Sequence, residues 1–376
     1  MASDLSCPDC GRTYEAGPTE PWRCACGTAL ELAEQPYPEG TPRSLSQLDT
    51  SRGLWTFFEF LPIEPHVTFN EGFTPIVDAP EWGASFKLEY VFPTGSFKDR
   101  GATTTLSRAV ELGVDRVVED SSGNAGASIA TYAARAGLEA DIYVPADVKQ
   151  SKLMAIQRAG ARPVRIEGGR TAVTNACIEA IESDSGDGPR QSGDGWYASH
   201  AWNPAFYVGT MTFAFEIAAQ RDWTVPDAVV IPIGHGTLFL GAYRGFSLLK
   251  RAGFIDELPR LLGAQAAGHA PIAEVVGNDP LGEAEEPTDL ADGIKIAQPA
   301  RWNEILEGID QTDGDCIAIG GDPIEDATDR LHRSGFYVEP TCAVAPAALE
   351  RYRERGQLAR DADVVVPLTG SGLKTL

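Results

Sequence analysis

Phe92-Pro93-Thr94-Gly95-Ser96-Phe97-Lys98-Asp99-Arg100-Gly101 is the stretch whose reading decides the fold. Ahead of it, Phe86 to Val91 reads as a strand entering a Pro/Gly turn. Behind it, Ala102 to Leu112 has helical spacing and no breaker, which predicts Lys98 in the first turn of a helix. Ser96 fits the N-cap, and Asp99, three residues on, can return a hydrogen bond to the cap's backbone. A lysine at the positive end of a helix dipole is disfavoured as a cation, which pushes it towards the neutral amine. Attack on an aldehyde requires that neutral amine. The ordinary alternative is a solvated lysine at a helix start, and the flanking sequence decides between the two.

Beyond the first helix the chain repeats strand, glycine loop and helix, the signature of a wound α/β domain. Arg116 to Glu119 is a short strand, followed by Asp120-Ser121-Ser122-Gly123-Asn124-Ala125-Gly126 and a helix to about Ala136 with Ile129, Tyr132, Ala133 and Ala136 on one face. Serine hydroxyls and backbone N–H groups at such a helix start make an anion cradle, and a carboxylate is the natural guest. Ala140 to Val144 and Pro163 to Ile166 read as strands around a helix over Lys149 to Ala159. Glu182 to Gly195 is a solvated loop, and a helix over Gly209 to Gln220 follows Asn203-Pro204. The strand Asp227 to Ile233 opens into Gly234-His235-Gly236-Thr237-Leu238 and a helix to about Arg251. Its backbone N–H groups can hold a phosphate without a basic side chain, and it lacks the lysine of a P-loop and the spacing of a dinucleotide fingerprint. Leu261 to Gln265 and Asp363 to Pro367 are further strands, the latter running into Leu368-Thr369-Gly370-Ser371-Gly372-Leu373-Lys374.

At the other end, Cys7-Pro8-Asp9-Cys10 and Cys24-Ala25-Cys26, each followed by glycine, can set four thiolates around a structural zinc ion. Two disulfides fit poorly, because the cysteines of one pair are badly placed to bond each other. Cys177, Cys316 and Cys342 read as small buried residues. Gln35 to Arg43 is a Pro-rich linker, and the aromatics of Leu54 to Pro62 form a packing patch.

With 376 residues there is material for two domains and a small appendage. The expected division is a zinc-ribbon-like segment over 1–34, a large α/β domain over 35–110 and 200–376, and a small α/β domain over 111–199. No apolar run approaches the roughly 20 residues that cross a bilayer, so no membrane partner and a cytoplasmic location are expected. A formal charge of -23 repels nucleic acid and points to small-molecule work. Lysine is confined to Lys87, Lys98, Lys149, Lys152, Lys250, Lys295 and Lys374, and an acidic, lysine-poor composition is expected of a halophilic, salt-adapted protein.

A helix-start lysine, a Ser/Gly/Asn cradle and a phosphate-suited glycine loop are the parts that hold pyridoxal 5'-phosphate. The chain resembles the fold-type-II pyridoxal-phosphate enzymes, and within them looks most like threonine synthase. The resemblance rests on the four-cysteine head, NEGFTPI (Asn70 to Ile76), PTGSFKDRG (Pro93 to Gly101), SSGNAGAS (Ser121 to Ser128), Asn203-Pro204 with Phe213 to Ile217, and LTGSGLK (Leu368 to Lys374). It implies a tryptophan synthase β-like fold and a lyase of amino-acid biosynthesis acting on O-phosphohomoserine, a small amino-acid substrate, as a homodimer. It further implies that Lys98 forms the internal Schiff base and shuttles protons, that Asn124 bonds the cofactor's 3'-oxygen, and that Gly234, His235, Gly236, Thr237 and Leu238 hold its phosphate. Thr369 would face the pyridine nitrogen, and Ser121, Ser122 and Gly123 would receive the substrate carboxylate.

Two departures accompany the match. The phosphate loop reads GHGTL, closer to the loops of β-replacement relatives, and His235 is either a tolerated loop side chain or a catalytic one. Where a basic residue is usual after Asn-Pro, this chain has Ala205-Phe206-Tyr207-Val208. β-Elimination or β-replacement on a serine- or cysteine-like amino acid is therefore an alternative, and a non-catalytic zinc-ribbon interaction protein is an alternative of another class.

Overall fold

The computed structural model describes residues 2–38, 40–182, 195–276 and 286–375. The chain opens with β1 (Leu5–Ser6), β2 (Thr13–Tyr14) and β3 (Glu31–Leu32), a three-stranded antiparallel sheet in the order β2-β1-β3. After a 3-10 segment over Thr50–Phe60, β4 (Ile76–Ala79) and β5 (Ala84–Lys87) pair antiparallel. Next come α1 (Lys98–Glu111), β6 (Arg116–Glu119), α2 (Asn124–Ala136), β7 (Glu139–Pro145), α3 (Gln150–Arg158), β8 (Arg162–Ile166), α4 (Arg170–Glu182), β9 (Trp196–Tyr197) and α5 (Pro204–Gln220). The last third alternates β10 (Ala228–Pro232), α6 (Thr237–Arg251), β11 (Arg260–Ala266), α7 (Pro271–Val276), α8 (Trp302–Gln311), β12 (Asp315–Ile319), α9 (Gly321–Arg333), α10 (Pro340–Glu354) and β13 (Val364–Pro367).

These elements form two compact units. The first comprises Met1–Pro38, Ser51–Glu71 and Lys98–Gly209, and holds a four-stranded parallel sheet in the order β8-β7-β6-β9. Val117, Ile142 and Val144 on its strands are buried against Leu106 of α1 and Ile129 and Ala133 of α2. The aromatic patch is as expected for Trp55, Phe57 and Phe60, which are buried, but Phe58 is exposed. Helix α2 stops at Gly137, whose φ of 73° is the left-handed conformation that glycine adopts without strain.

The second unit comprises Glu39–Thr50, Gly72–Phe97 and Thr210–Leu376, with a six-stranded sheet in the order β12-β11-β10-β13-β5-β4. All neighbours are parallel except the edge pair β4 and β5. Its near-continuous apolar strands are covered by the small residues of α10, Ala343, Ala345 and Ala348 among them. A buried polar knot explains two of the quoted motifs. Lys87 Nζ lies 2.9 Å from Glu216 Oε2 and donates to the Thr74 carbonyl at 3.0 Å and to Gln220 Oε1 at 2.9 Å. Thr74 in turn donates its N–H to Glu216 and its hydroxyl to Glu89, so NEGFTPI and the Glu216 segment fix one edge of this sheet. A charge so deeply buried is held only when paired and hydrogen-bonded.

The fold corrects four expectations. The strand read over Phe86 to Val91 ends at Lys87, because residues Glu89–Val91 coil into a 3-10 turn. Helix α5 begins at Pro204 rather than Gly209, since Pro suits a helix start and Asn203 Oδ1 accepts the Ala205 N–H at 3.0 Å. Ser96 does not cap α1: it bridges Gly370 in the second unit and its buried hydroxyl has no hydrogen-bond partner among the described residues, while the Asp99 carboxylate accepts from Ser128 at 2.6 Å. Finally, the first unit reaches beyond 111–199 in both directions, because α1 packs on α2 and the cysteine head packs on α1. The loop read over Glu182 to Gly195 lies, apart from its end residues, outside the described residues. Among the described residues no helix is long and apolar enough to cross a membrane.

Candidate active site

In the first unit, the reactive-residue candidates gather at the ends of three helices. Lys98 is the first residue of α1 and Asn124 the first of α2, and the 2.6 Å bond from Ser128 to Asp99 pins these two helix starts together. The loop Ser121-Ser122-Gly123 joins the end of the parallel strand β6 to α2. A Cβ on Gly126 would lie 1.8 Å from the Ser121 carbonyl oxygen, so only glycine lets the loop fold back on its helix. Ser122, Gly123 and Asn124 are half-buried, and the Gly123 N–H turns onto Ser121 Oγ at 3.3 Å. The start of α5 closes in from another side. Phe206 lies with its ring centroid 5.6 Å from Lys98 Nζ, at the spot where a Cβ on Gly101 would be 2.2 Å from that ring, and Gly209 sits on the Arg100 carbonyl.

Beneath this cluster is an acidic pair. Glu119 and Asp120 end β6 and are both buried. Asp120 accepts from Thr174 at 2.6 Å and Tyr197 at 3.0 Å, with Arg170 at 3.9 Å. Glu119 takes His200, its Oε1 2.7 Å from Nδ1 and its Oε2 accepting the His200 backbone N–H at 3.2 Å. Burial pushes the Glu119 carboxyl well above the ordinary carboxylate range, and Asp120 adds to the rise; Arg170, the His200 N–H and Lys98 act against it. Glu119 and His200 escape the motif reading, and Ser128 and Phe206 are quoted there without the contacts they make here. The signal available was an acidic pair closing an apolar strand, whose carboxylates must find partners when buried.

The second unit supplies a different kind of surface. Strands β10 and β13 are parallel neighbours, with Ala228 opposite Val364, so the loop after β10 and the segment after β13 leave the sheet at the same end. The first is Gly234 to Leu238. Gly236 has φ 76° and a Cβ there would lie 2.5 Å from Ile305 Cδ1, while one on Gly234 would meet Ile294 at 3.1 Å. Thr237 begins the fifteen-residue helix α6, whose leading N–H groups have no acceptor within the helix. His235, between the two glycines, is half-buried. The second segment carries Thr369, which is buried and donates its N–H to Cys342 Sγ at 3.2 Å. Its carbonyl accepts the Phe97 N–H at 3.1 Å, so the residue just before Lys98 is tied to Thr369. Burial pushes the Cys342 thiol up to about 12, and Cys177 and Cys316 are likewise buried and raised, as suits inert core residues.

The cysteine head forms two knuckles. The Gly11 N–H bonds the Cys7 carbonyl and the Gly27 N–H the Cys24 carbonyl, both glycines having positive φ. The four Sγ atoms of Cys7, Cys10, Cys24 and Cys26 lie within 4.8 Å of one another. The Cys26 backbone and the Tyr14 hydroxyl push the Cys24 thiol down to about 6. Buried Arg108 of α1 donates to Glu20 at 2.6 Å and to the Ser3 carbonyl at 2.9 Å, and Trp22 packs edge-on against Trp202 at 4.9 Å. The head is thereby fastened to the helix that Lys98 begins.

The family model described as pyridoxal-phosphate dependent enzyme matches residues 67–370. The threonine synthase of Methanocaldococcus jannaschii is 32% identical over 384 aligned positions, covering 98% of this chain and 92% of that protein. The threonine synthase of Mycobacterium tuberculosis is 34% identical over 317, covering 82% and 83%. Among solved structures, maize serine racemase superposes with a TM-score of 0.66 at 20% identity over 80% of this chain and 88% of that one. The processed threonine deaminase isoform 2 of Solanum lycopersicum gives 0.66 at 21% identity over 90% and 88%. With most of its length matched at both levels, the chain belongs to the fold-type-II pyridoxal-phosphate-dependent enzymes and is similar to their threonine synthases.

Proposed function

We propose that the protein converts O-phosphohomoserine and water to threonine and phosphate. The observation that supports this most is similarity to a threonine synthase over 98% of the chain, from the cysteine head to LTGSGLK. The residues fit pyridoxal 5'-phosphate: a lysine at a helix start, helix N–H groups behind Gly236 in a loop that a Cβ would obstruct, and a buried threonine beside them in sheet order. When bound, pyridoxal phosphate supplies an electron-withdrawing ring that stabilises negative charge at the substrate's Cα.

The chain's own residues do the rest. Gly234, His235, Gly236, Thr237 and Leu238 would hold the cofactor phosphate through backbone N–H groups, Asn124 would serve its 3'-oxygen, and the Thr369 hydroxyl would serve its pyridine nitrogen. Ser121, Ser122 and Gly123 receive the substrate's carboxylate at the start of α2, where the helix dipole favours an anion. Lys98 Nζ would take the Cα proton and return it at the end. In between, a Cβ proton is given up as phosphate leaves Cγ, a proton is delivered to Cγ to make the methyl group, and water adds its hydroxyl at Cβ. The protons removed at Cα and Cβ are thus balanced by those placed at Cγ and Cα. The face of Phe206 near Nζ keeps water from the amine that must accept that proton.

Cys7, Cys10, Cys24 and Cys26 would hold a structural zinc ion, all four positions being thiolates, and the ion would staple a segment too small for a core of its own. The working assembly is a homodimer in the cytoplasm. A second reading, β-elimination or β-replacement on a serine- or cysteine-like amino acid, draws on the apolar Phe206 beside Lys98. The loaded enzyme given a substrate panel separates the two. Threonine and phosphate in equal amounts from O-phosphohomoserine support the first, and pyruvate or 2-oxobutanoate with ammonia from unphosphorylated amino acids supports the second.

A further inference from the structure

Thr369 is fixed by its backbone. The segment Thr369 to Ser371 runs between two others as a short ribbon. On one side the Thr369 carbonyl accepts the Phe97 N–H at 3.1 Å and the Ser371 N–H reaches the Gly95 carbonyl at 2.9 Å; on the other the Gly370 carbonyl accepts the Glu339 N–H at 3.1 Å. A Cβ on Gly370 would lie 2.3 Å from Glu339 Oε1, so the ribbon is packed as closely as its backbone allows. This second side also brings up Cys342, in the first turn of α10, whose Sγ accepts the Thr369 N–H at 3.2 Å. Both backbone polar groups of Thr369 are therefore spent, and its hydroxyl is left as the group that can turn.

Which way the hydroxyl turns follows from the sulfur. Cys342 and Thr369 are both buried. Burial, with the Glu339 carboxylate adding to it, pushes the Cys342 thiol up to about 12, while the N–H groups of Gly370 and Thr369 and the Thr369 hydroxyl act against the rise. At neutral pH the sulfur therefore keeps its hydrogen. Two N–H donors occupy the lone pairs of this weak acceptor, which leaves the S–H to be given. The Thr369 hydroxyl, in hydrogen-bond contact with the sulfur, takes it. Its oxygen then accepts from Cys342, and its own hydrogen points away as a donor.

We propose that Cys342 is a positioning residue, whose thiol turns the Thr369 hydroxyl so that it donates to the pyridine nitrogen of pyridoxal phosphate and keeps that nitrogen unprotonated. This role rests on the proposed function, which puts Thr369 at that nitrogen, and deepens it. An unprotonated ring is a weaker electron sink than a pyridinium, and its nitrogen needs a fixed donor rather than a carboxylate. Sealed from solvent and un-ionised, Cys342 takes no part in covalent chemistry and acts only through Thr369.

The test reads the ring nitrogen directly. The protein is loaded with pyridoxal phosphate carrying nitrogen-15 in the ring, and the nitrogen resonance is recorded for wild type, Cys342→Ala, Cys342→Ser and Thr369→Val. Free, hydrogen-bonded and protonated pyridine nitrogens resonate at separate positions. Wild type is expected at the unprotonated, hydrogen-bonded position. Cys342→Ala is expected to move the signal off that position and to weaken cofactor affinity about three- to tenfold in equilibrium dialysis. Cys342→Ser, whose hydroxyl both accepts and donates, is expected to restore both. Cys342→Val, which fills the site without an acceptor, takes the place of the alanine variant if that folds poorly. A protonated nitrogen in wild type, no rescue by Cys342→Ser, or a signal that moves in Thr369→Val but not in Cys342→Ala or Cys342→Val overturns the role of Cys342. A signal indifferent to Thr369→Val removes Thr369 from the nitrogen, and the role of Cys342 falls with it. A signal that answers to both residues, in a protein that makes no threonine from O-phosphohomoserine, supports the role of Cys342 and refutes the proposed reaction instead.

Discussion

On the proposed function, the two units contribute different kinds of group. The four-stranded unit places side chains: Lys98, Asn124, the serine loop, and below them Glu119, Asp120 and His200, every carboxylate spoken for. The six-stranded unit places backbone: a loop with two close-packed glycines and the first turn of α6, with no lysine or arginine between Gly234 and Leu238. Chemistry that moves protons needs titratable groups held in a poorly solvated setting, whereas holding a phosphate needs only N–H groups fixed in advance. Substitutions should therefore fail in different ways in the two units.

The widest effect is expected from Lys98→Ala. Turnover should fall by about four orders of magnitude or more, while pyridoxal phosphate still binds through the second unit's anchors. Gly236→Val should do the reverse, leaving the chemistry of Lys98 intact but weakening cofactor affinity by roughly five- to a hundredfold, since a branched residue is strained at φ 76° and meets Ile305. Equilibrium dialysis beside turnover assays checks both, and equal loss of affinity in the two variants would erase the proposed division.

Next in size is the fastening of the cysteine head. Glu20→Ala strands Arg108, which is fully buried, and should cost about 3–5 kcal/mol in denaturant unfolding. Removal of bound zinc by a chelator should lower the melting temperature in the same direction, and a protein indifferent to chelation would argue against a metal at the four thiols.

Smaller again is a pH effect confined to the first unit. Glu119 holds its proton in the folded state to a pH where the unfolded chain has released it. Its contribution is complete below the ordinary carboxylate pKa and is lost as pH rises through the raised one. Glu119→Gln should match wild type in acid and gain on it progressively above the ordinary carboxylate range. A constant difference in melting temperature across that range would contradict the assigned rise. The smallest and most diffuse effect concerns salt: with a net charge of -23, the fold should gain stability as salt screens self-repulsion, and equal stability without salt would remove the case for halophilic adaptation.

Much of the parallel-sheet scaffold was legible because strand, loop and helix follow each other locally. Arg116–Glu119 and the helix ending at Ala136 fall where apolar spacing and glycine put them. What escaped depends on distant partners. Asp99 reads as a capping residue three positions after Ser96, but Ser128, twenty-nine residues on, claims its carboxylate. Glu119 and His200 lie 81 residues apart, and only the pairing of β6 with β9 brings them together. The start of α5 was missed because Pro204 reads as a breaker until Asn203 is seen to bond the first turn. The same distance effect hid the boundary of the first unit, which follows the packing of α1 on α2 rather than any change in composition.

The most direct test of the central claim is the product balance of the pyridoxal-phosphate-loaded protein with O-phosphohomoserine, read as threonine, inorganic phosphate and keto acid in one time course. Threonine and phosphate released one to one, with no keto acid and none of either product from Lys98→Ala, is the expected result. Phosphate without threonine, keto acid with ammonia, or turnover that survives Lys98→Ala would contradict it.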